Sequence, residues 1–111
     1  MKKFILVLML SALSFQGFAA TRVITLVNHQ YEGVKQWLPG TIYANVGDDV
    51  ELHLINKKGK HGFRIKAFNI ATEVGKKMVK LKFKADKAGI HKIDCQLHGA
   101  HIGGQFIVNG K

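Results

Sequence analysis

The sequence has only one cysteine, one proline and one tryptophan among its 111 residues. A single cysteine cannot form an internal disulfide, so the chain is not one of the small exported scaffolds that depend on such bonds. Acidic residues are also scarce, because 7 Asp and Glu accompany 17 Lys and Arg, for a formal net charge of +10. No helix longer than one turn is indicated by the apolar pattern. The fold must therefore depend on a packed core, assisted by any metal that the chain binds.

The N-terminus has the pattern of a bacterial signal peptide. Two lysines precede an apolar run at residues 4–13, and residues 17–19 (GFA) supply the small-x-small pattern that signal peptidase recognises. The run is shorter than the roughly 20 residues that span a bilayer, and no second run of that length follows. We therefore predict a signal peptide at residues 1–19, one mature domain at residues 20–111, and a periplasmic location.

The strong positive charge limits the class of partner. A basic protein can bind nucleic acid, an anionic membrane surface or an acidic protein. Export excludes nucleic acid. Many of the lysines alternate along strand-like segments, as at Lys80, Lys82 and Lys84, which is typical of a solvated face. An acidic protein partner, or transient contact with an anionic membrane surface, accounts for the remaining charge.

The mature chain has the pattern of an all-β protein. Residues 79–85 alternate between apolar and lysine side chains, which indicates a strand with one face in the core and one in water. Residues 28–40 show no clear period and are predicted to form a long loop, with Trp37 as a plug for the core. About seven or eight short strands separated by turns favour an antiparallel β-sandwich. The predicted strands cover residues 21–27, 41–46, 50–55, 61–65, 68–70, 79–85, 90–94 and 105–108.

The chemistry of the sequence is concentrated in residues 94–101 (DCQLHGAH). This stretch holds the only cysteine, Cys95, together with His98 and His101. A thiolate suits Cu(I) and imidazole suits both Cu(I) and Cu(II), so this combination is the recurring solution for copper electron transfer. His101 can either join the site or remain at its solvent edge. His61 would supply a donor from a distant part of the chain.

A topological condition follows from that pairing. If His61 and the Cys95 loop share one end of the sandwich, the chain must cross the sandwich an even number of times between them. Three crossings are evident at residues 62–66, 77–85 and 90–94. Residues 67–75 must therefore supply a fourth, for which residues 68–70 are the candidate.

Residues 39–108 resemble the cupredoxin family, most closely its nitrosocyanin-like, red-copper members. The likeness lies in residues 39–50, in His61-Gly62-Phe63, and in residues 83–95 up to the Cys95-Gln96-Leu97-His98 motif. The resemblance implies a Greek-key β-sandwich in which Cys95 and His98 bind a copper ion. With His61 and His101, it gives a four-residue metal site.

The chain departs from that family pattern at two places. His61 stands where the nitrosocyanin-like members have glutamate and where other cupredoxins have histidine. No methionine follows Cys95, so the usual axial ligand is missing; Gln105 could donate an axial oxygen but is better explained as a surface residue. Asn56 is expected to hydrogen-bond across to the Cys95 loop, and His91 to pack in the sheet or support the ligands.

Four functions are compatible with these residues. The leading hypothesis is a periplasmic copper protein that carries electrons to or from a redox partner, and not an enzyme. The alternative is copper storage or delivery without electron shuttling. A Cys-His nucleophile would make the protein an enzyme, although no sequence feature resembles an oxyanion hole. Structural zinc is allowed by the same donor types.

Overall fold

The computed structural model describes residues 20–110. The predicted signal peptide, residues 1–19, lies outside this range. No helix in the described part of the chain is long and apolar enough to cross a membrane.

Residues 20–110 form nine strands and one short 3-10 turn, against the seven or eight strands predicted. The strands are β1 (Thr21–Tyr31), β2 (Val34–Leu38), β3 (Thr41–Asn45), β4 (Asp49–Asn56), β5 (His61–Ile65), β6 (Ile70–Val74), β7 (Val79–Lys84), β8 (Gly89–Ile93) and β9 (Gly104–Asn109), with the 3-10 turn at Lys66–Phe68 between β5 and β6.

The strands form the two layers of the predicted β-sandwich. One layer has the order β2-β1-β4-β7, and the other contains β3-β9-β8. The β5–β6 hairpin extends the second layer, because an isolated bridge joins Arg64 of β5 to Asp94, just beyond β8. The predicted antiparallel β-sandwich is confirmed as the fold class, but two of its strand pairs, β1 with β4 and β3 with β9, are parallel. The alternation of side chains shows which face of a strand is buried but not which strand lies beside it.

The prediction of a long loop at residues 28–40 was wrong. β1 continues to Tyr31, and the chain turns at Glu32 and Gly33, which both have positive φ, before returning as β2. Only one β2 side chain, that of Trp37, is buried. An edge strand with only one buried side chain lacks the alternation of apolar and polar residues from which strands are predicted.

The fourth crossing is present, but it is made by β6 (Ile70–Val74) and not by residues 68–70 as predicted. Residues 66–68 form the 3-10 turn, and the return strand is β6, whose Val74 pairs with His61 at the end of the β5–β6 hairpin. β5 and the loop after β8 therefore begin at the same end of the sandwich. That end is called the site end below.

A single core lies between the layers. It combines Leu52 and Leu26 from the first layer with Phe106 from the second and Phe63 from β5, all fully buried. Trp37 packs at the site end of this core, with its ring edge-on to Phe63 at 5.6 Å between centroids. Its indole N–H donates to the Gly62 carbonyl at 2.9 Å. One side chain thus joins the β1–β2 hairpin to β5.

We expect Trp37→Phe to lower the free energy of unfolding by about 1 kcal/mol, because the ring contact remains while one buried hydrogen bond is lost. Chemical denaturation of the metal-free protein measures the change. Tyr43→Phe is the control, since Tyr43 is 53% exposed and its hydroxyl lies at the surface. Equal effects of the two substitutions would contradict a structural role for the indole hydrogen bond.

Candidate metal centre

Three side chains with metal-ligating atoms converge at the site end. One such atom from each of His61, Cys95 and His101 lies within 4.8 Å of the others, and all three residues are buried. Among residues 20–110 this is the one group of three or more His, Cys, Asp or Glu residues close enough to hold a metal ion. His61 begins β5, whereas the other two lie in the loop between β8 and β9. We call this set the three-donor cluster.

The sulfur of Cys95 lies against the backbone of β5. The Gly62 N–H donates to Cys95 Sγ at 3.1 Å, and this contact is buried. A Cβ atom at Gly62 would collide with the amide end of the Gln96 side chain, which would have to move. The Gln96 amide is itself held by a hydrogen bond from Nε2 to the Thr72 carbonyl in β6. Glycine at position 62 therefore allows β5 and the cysteine loop to approach closely.

An ion pair between Arg64 and Asp94 also holds the cysteine loop against β5. Arg64 donates from Nε and Nη2 to the two carboxylate oxygens of Asp94 at 2.7 and 2.6 Å. The two residues also exchange backbone hydrogen bonds of 2.9 and 3.0 Å. The hydrogen bond from Arg64 lowers the pKa of Asp94, so the carboxylate stays charged. This arrangement, called the Arg64–Asp94 bridge, sets the position of the residue before Cys95.

One ring nitrogen of His61 forms a hydrogen bond and the other does not. Its Nε2 lies 2.9 Å from the Lys58 carbonyl and must donate to it, because a carbonyl only accepts. Its Nδ1 is buried without a hydrogen-bond partner in the described structure. The hydrogen bond expected from Asn56 to the Cys95 loop is not formed; its amide donates instead to the carbonyls of Gly59 and Val74 and so shapes the turn before His61. An unpaired, buried nitrogen facing a thiol is the feature expected of a metal ligand.

His101 is buried among residues that the sequence analysis did not connect with the site. Its Nε2 lies 2.5 Å from Asn28 Nδ2 of β1, and its Nδ1 lies 3.0 Å from the Ile102 carbonyl. The Trp37 ring lies beside it, at 6.4 Å between centroids. Asn28 occupies an inward position of β1, two residues after the core residue Leu26. A polar residue in an apolar alternation is a signal from which Asn28 could have been found.

The structure places His98 beside the three-donor cluster rather than within it. Its ring centroid is 5.0 Å from that of His61, and its Nε2 donates to the Lys60 carbonyl at 2.9 Å. Gln105 is exposed and bonds the Thr41 hydroxyl, as expected for a surface residue.

Two further histidines, His91 and His53, contact other side chains rather than the three-donor cluster. His91 packs edge-on against Phe68 at 4.9 Å, which is the packing role expected for it. His53 lies on the outer face of β4, where its ring bonds Glu51. Neither residue belongs to the three-donor cluster.

Both histidines of the three-donor cluster favour the neutral form. Burial lowers the pKa of His61, and the positive charges of His98 and Lys35 lower it further, while the hydrogen bond to Lys58 opposes this. Burial likewise lowers the pKa of His101, with smaller contributions from the charges of His61, His98 and Lys35. A neutral imidazole is the form that binds metals. One thiol and two neutral imidazoles in a buried site fit a copper ion.

Comparisons with known proteins support this architecture. No protein-family model and no curated protein matches the chain. Among solved structures, copper nitrite reductase from Nitrosomonas europaea matches with a TM-score of 0.69 and 21% identity over 82% of this chain. Auracyanin A, a blue copper protein from Chloroflexus aurantiacus, matches with a TM-score of 0.68 and 16% identity over 81% of this chain. The chain has the cupredoxin fold.

The two matches differ in how much of the other protein they include. This chain spans 42% of the nitrite reductase chain but 100% of the auracyanin chain. In this cupredoxin fold the three-donor cluster lies where β5 and the loop between β8 and β9 meet. The resemblance inferred from the sequence is therefore confirmed at the level of the fold.

We expect the metal-free protein to lose stability as the pH falls from 7 to 5. In the folded chain the pKa values of His61 and His101 lie below their ordinary value of 6.5. The unfolded chain therefore takes up protons first as the pH falls through 6.5, and protonation favours unfolding until the folded-state pKa values are passed. Denaturant titrations at several pH values, with a thiol reductant present, measure this change.

The double variant His61→Gln/His101→Gln is the comparison for that experiment and should show a shallower loss. An NMR titration of the wild-type histidine rings tests the cause without any substitution. Midpoints at or above 6.5 for both rings would contradict it.

Proposed function

We propose that the protein is an exported, mononuclear copper-binding cupredoxin that acts in electron transfer. The observation that carries the proposal is the convergence of Cys95 with His61 and His101, one ligating atom of each within 4.8 Å of the others. When bound, copper supplies a one-electron couple, and thiolate and imidazole ligands serve both of its oxidation states. The residues of the site supply the ligands and hold them in place while the charge changes.

We propose His98 as the fourth member of the ligand set, at the solvent side. Its ring already lies beside that of His61, and ligation through Nδ1 would leave the bond from Nε2 to the Lys60 carbonyl in place. His98 is half-buried, whereas the other three donors are buried. A ligand at the surface beside a buried sulfur would provide a short route for an electron to enter or leave.

A rigid frame supports electron transfer because the ligands need not rearrange between oxidation states. The Arg64–Asp94 bridge and the Gly62 N–H tie the two ligand-bearing segments together before any metal binds. The partner would be another redox protein.

The charge around the site favours an acidic partner. Lys57, Lys58 and Lys60 are exposed in the turn before His61, and the carbonyls of the latter two bond His61 and His98. Opposite charges steer encounters between proteins and raise the association rate at low salt. An acidic surface on the partner would therefore be guided to the end of the molecule that holds the copper.

Copper storage or delivery is the alternative function. The half-buried position of His98 favours it, because a surface ligand can pass a metal to another protein. For export, the support is the signal-peptide pattern at residues 1–19, and we propose the periplasm as the location.

We expect Cu(II) added to the mature protein to bind at one equivalent and to give a thiolate-to-copper band in the visible spectrum. The colour should be red or purple rather than intense blue, because several imidazoles strengthen the ligand set and no methionine follows Cys95. Cys95→Ser should abolish the band, and His61→Ala should weaken or shift it. His29→Ala is the control, since His29 is exposed on β1. Absence of any such band in the wild-type protein would exclude the proposed site.

We expect the copper-loaded protein to be oxidised by ferricyanide and reduced by ascorbate repeatedly without losing its metal. Metal analysis after desalting at each step measures retention, and release on reduction would favour delivery instead. Because ferricyanide is an anion, the rate at which it oxidises this basic protein should fall as ionic strength rises. Lys57→Glu/Lys58→Glu should weaken this dependence.

Lys84→Glu/Lys87→Glu is the matched control, with the same change in net charge at the opposite end of the sandwich. Lys84 pairs with Asp49 at the start of β4, whereas His61 follows the end of that strand. Equal effects of the two double variants would show that net charge alone, and not the lysines near the site, controls the rate.

A further inference from the structure

Two histidines at the site end rest on one turn of the backbone. The turn is formed by residues 57–60, between β4 and β5. Nε2 of His61 donates to the Lys58 carbonyl, and Nε2 of His98 donates to the Lys60 carbonyl, both at 2.9 Å. His61 begins β5, whereas His98 lies in the loop between β8 and β9. The position of this one turn therefore affects rings from two distant segments.

The side chain of Asn56 holds the turn through both of its polar atoms. Nδ2 donates to the carbonyls of Gly59 at 2.6 Å and Val74 at 3.1 Å. Oδ1 accepts from the N–H of Lys58 at 3.3 Å. A carbonyl only accepts and a backbone N–H only donates, so these partners fix which end of the amide is which. An amide is needed here because it combines two donors with an acceptor.

The other charged groups near the turn do not hold it in place. Lys57, Lys58 and Lys60 are exposed, and their like charges repel one another. Lys60 forms an ion pair with Glu73 at 3.7 Å, but both side chains are more than half exposed, so this pair contributes little. In the described part of the chain, the Asn56 amide is therefore the main side-chain constraint on the turn.

Asn56 also ties the turn to the hairpin that carries His61. Val74 ends β6 and is the register partner of His61 in the β5–β6 hairpin. The backbone of Asn56 is fixed in the first layer, where it lies opposite Asn28 of β1. One amide thus connects the end of β4, the turn and the end of β6.

We propose that Asn56 is a positioning residue for the copper site: its amide holds the 57–60 turn where two of its carbonyls keep the rings of His61 and His98 in place. The inference rests on the metal site proposed above. It makes Asn56 act through the turn rather than through the Cys95 loop. Rings that are ordered before the metal arrives need not be ordered on binding, so copper binds more tightly and leaves more slowly.

Transfer of Cu(I) from the mature protein to an excess of a chromophoric Cu(I) chelator tests the proposal. Asn56→Ala loses all three hydrogen bonds and should bind Cu(I) about tenfold more weakly, the usual effect of losing an outer partner of metal ligands, and release it faster. Asn56→Asp keeps the shape and the acceptor but cannot donate to the Gly59 and Val74 carbonyls, so it too should release copper faster than the wild type. Salt at about 0.15 M limits the effect of the added charge.

Asp48→Ala is the matched control for stability. The Asp48 carboxylate holds the turn before β4, at the opposite end of the sandwich, by accepting from the Asn45 N–H at 2.8 Å and from Arg22 Nε at 3.3 Å. Its loss should lower the free energy of unfolding of the metal-free protein, as the loss of Asn56 should. The rate of Cu(I) release should stay at the wild-type value.

A second readout uses the metal-free protein. The ring centroids of His61 and His98 are 5.0 Å apart, so proton NMR of the wild type should show a nuclear Overhauser contact between the two rings. This contact should be lost in Asn56→Ala and Asn56→Asp and retained in Asp48→Ala.

The proposal is overturned if either Asn56 variant retains the wild-type rate of release, or if Asp48→Ala accelerates release as much as Asn56→Ala does. Survival of the ring contact in the two Asn56 variants would also overturn it. Failure of the wild type to bind Cu(I) would instead refute the proposed function. The ring contact in the metal-free protein would still decide whether Asn56 positions the two histidines.

Discussion

The site depends on the contact between the Cys95 sulfur and the backbone N–H of Gly62. This contact brings the loop after β8 against the start of strand β5, and so places the sulfur beside the ring of His61. Glycine at position 62 favours this contact, because a Cβ there would displace the amide of Gln96. The Arg64–Asp94 bridge connects the same two segments two residues later in β5 and one residue before Cys95. Together they join residues that are 30 and 33 positions apart in the chain.

Electrostatics and burial act together at this end of the molecule. Burial favours neutral His61 and His101, and the charge of Lys35 acts in the same direction. Lys35 therefore helps to keep the imidazoles in the form that binds metal. A different group of lysines, Lys57, Lys58 and Lys60, is exposed in the turn before His61. A partner that approaches the half-buried His98 would meet this second group.

Parts of the fold and the site could be predicted because their signals are local. The alternation at residues 79–85 gives a strand with one face in the core, and β7 occupies Val79–Lys84. The donors of residues 94–101 are visible because cysteine and histidine are rare and stand close together. The β1–β2 hairpin was missed because its edge strand has one buried side chain. Parallel pairing of β1 with β4 was missed because no local pattern encodes the neighbour of a strand.

The sequence by itself determined an all-β chain, a basic surface, and a thiol with two imidazoles in one short loop. Each of these follows from the identity and spacing of neighbouring residues. Only the tertiary structure decided that His101 lies in the buried cluster while His98 lies beside it, and that Asn28 faces His101 across 73 positions of the chain. The spacing of both histidines from Cys95 permits either to turn inward. The choice depends on where β1 and Trp37 leave space, and that is set by packing between segments distant in sequence.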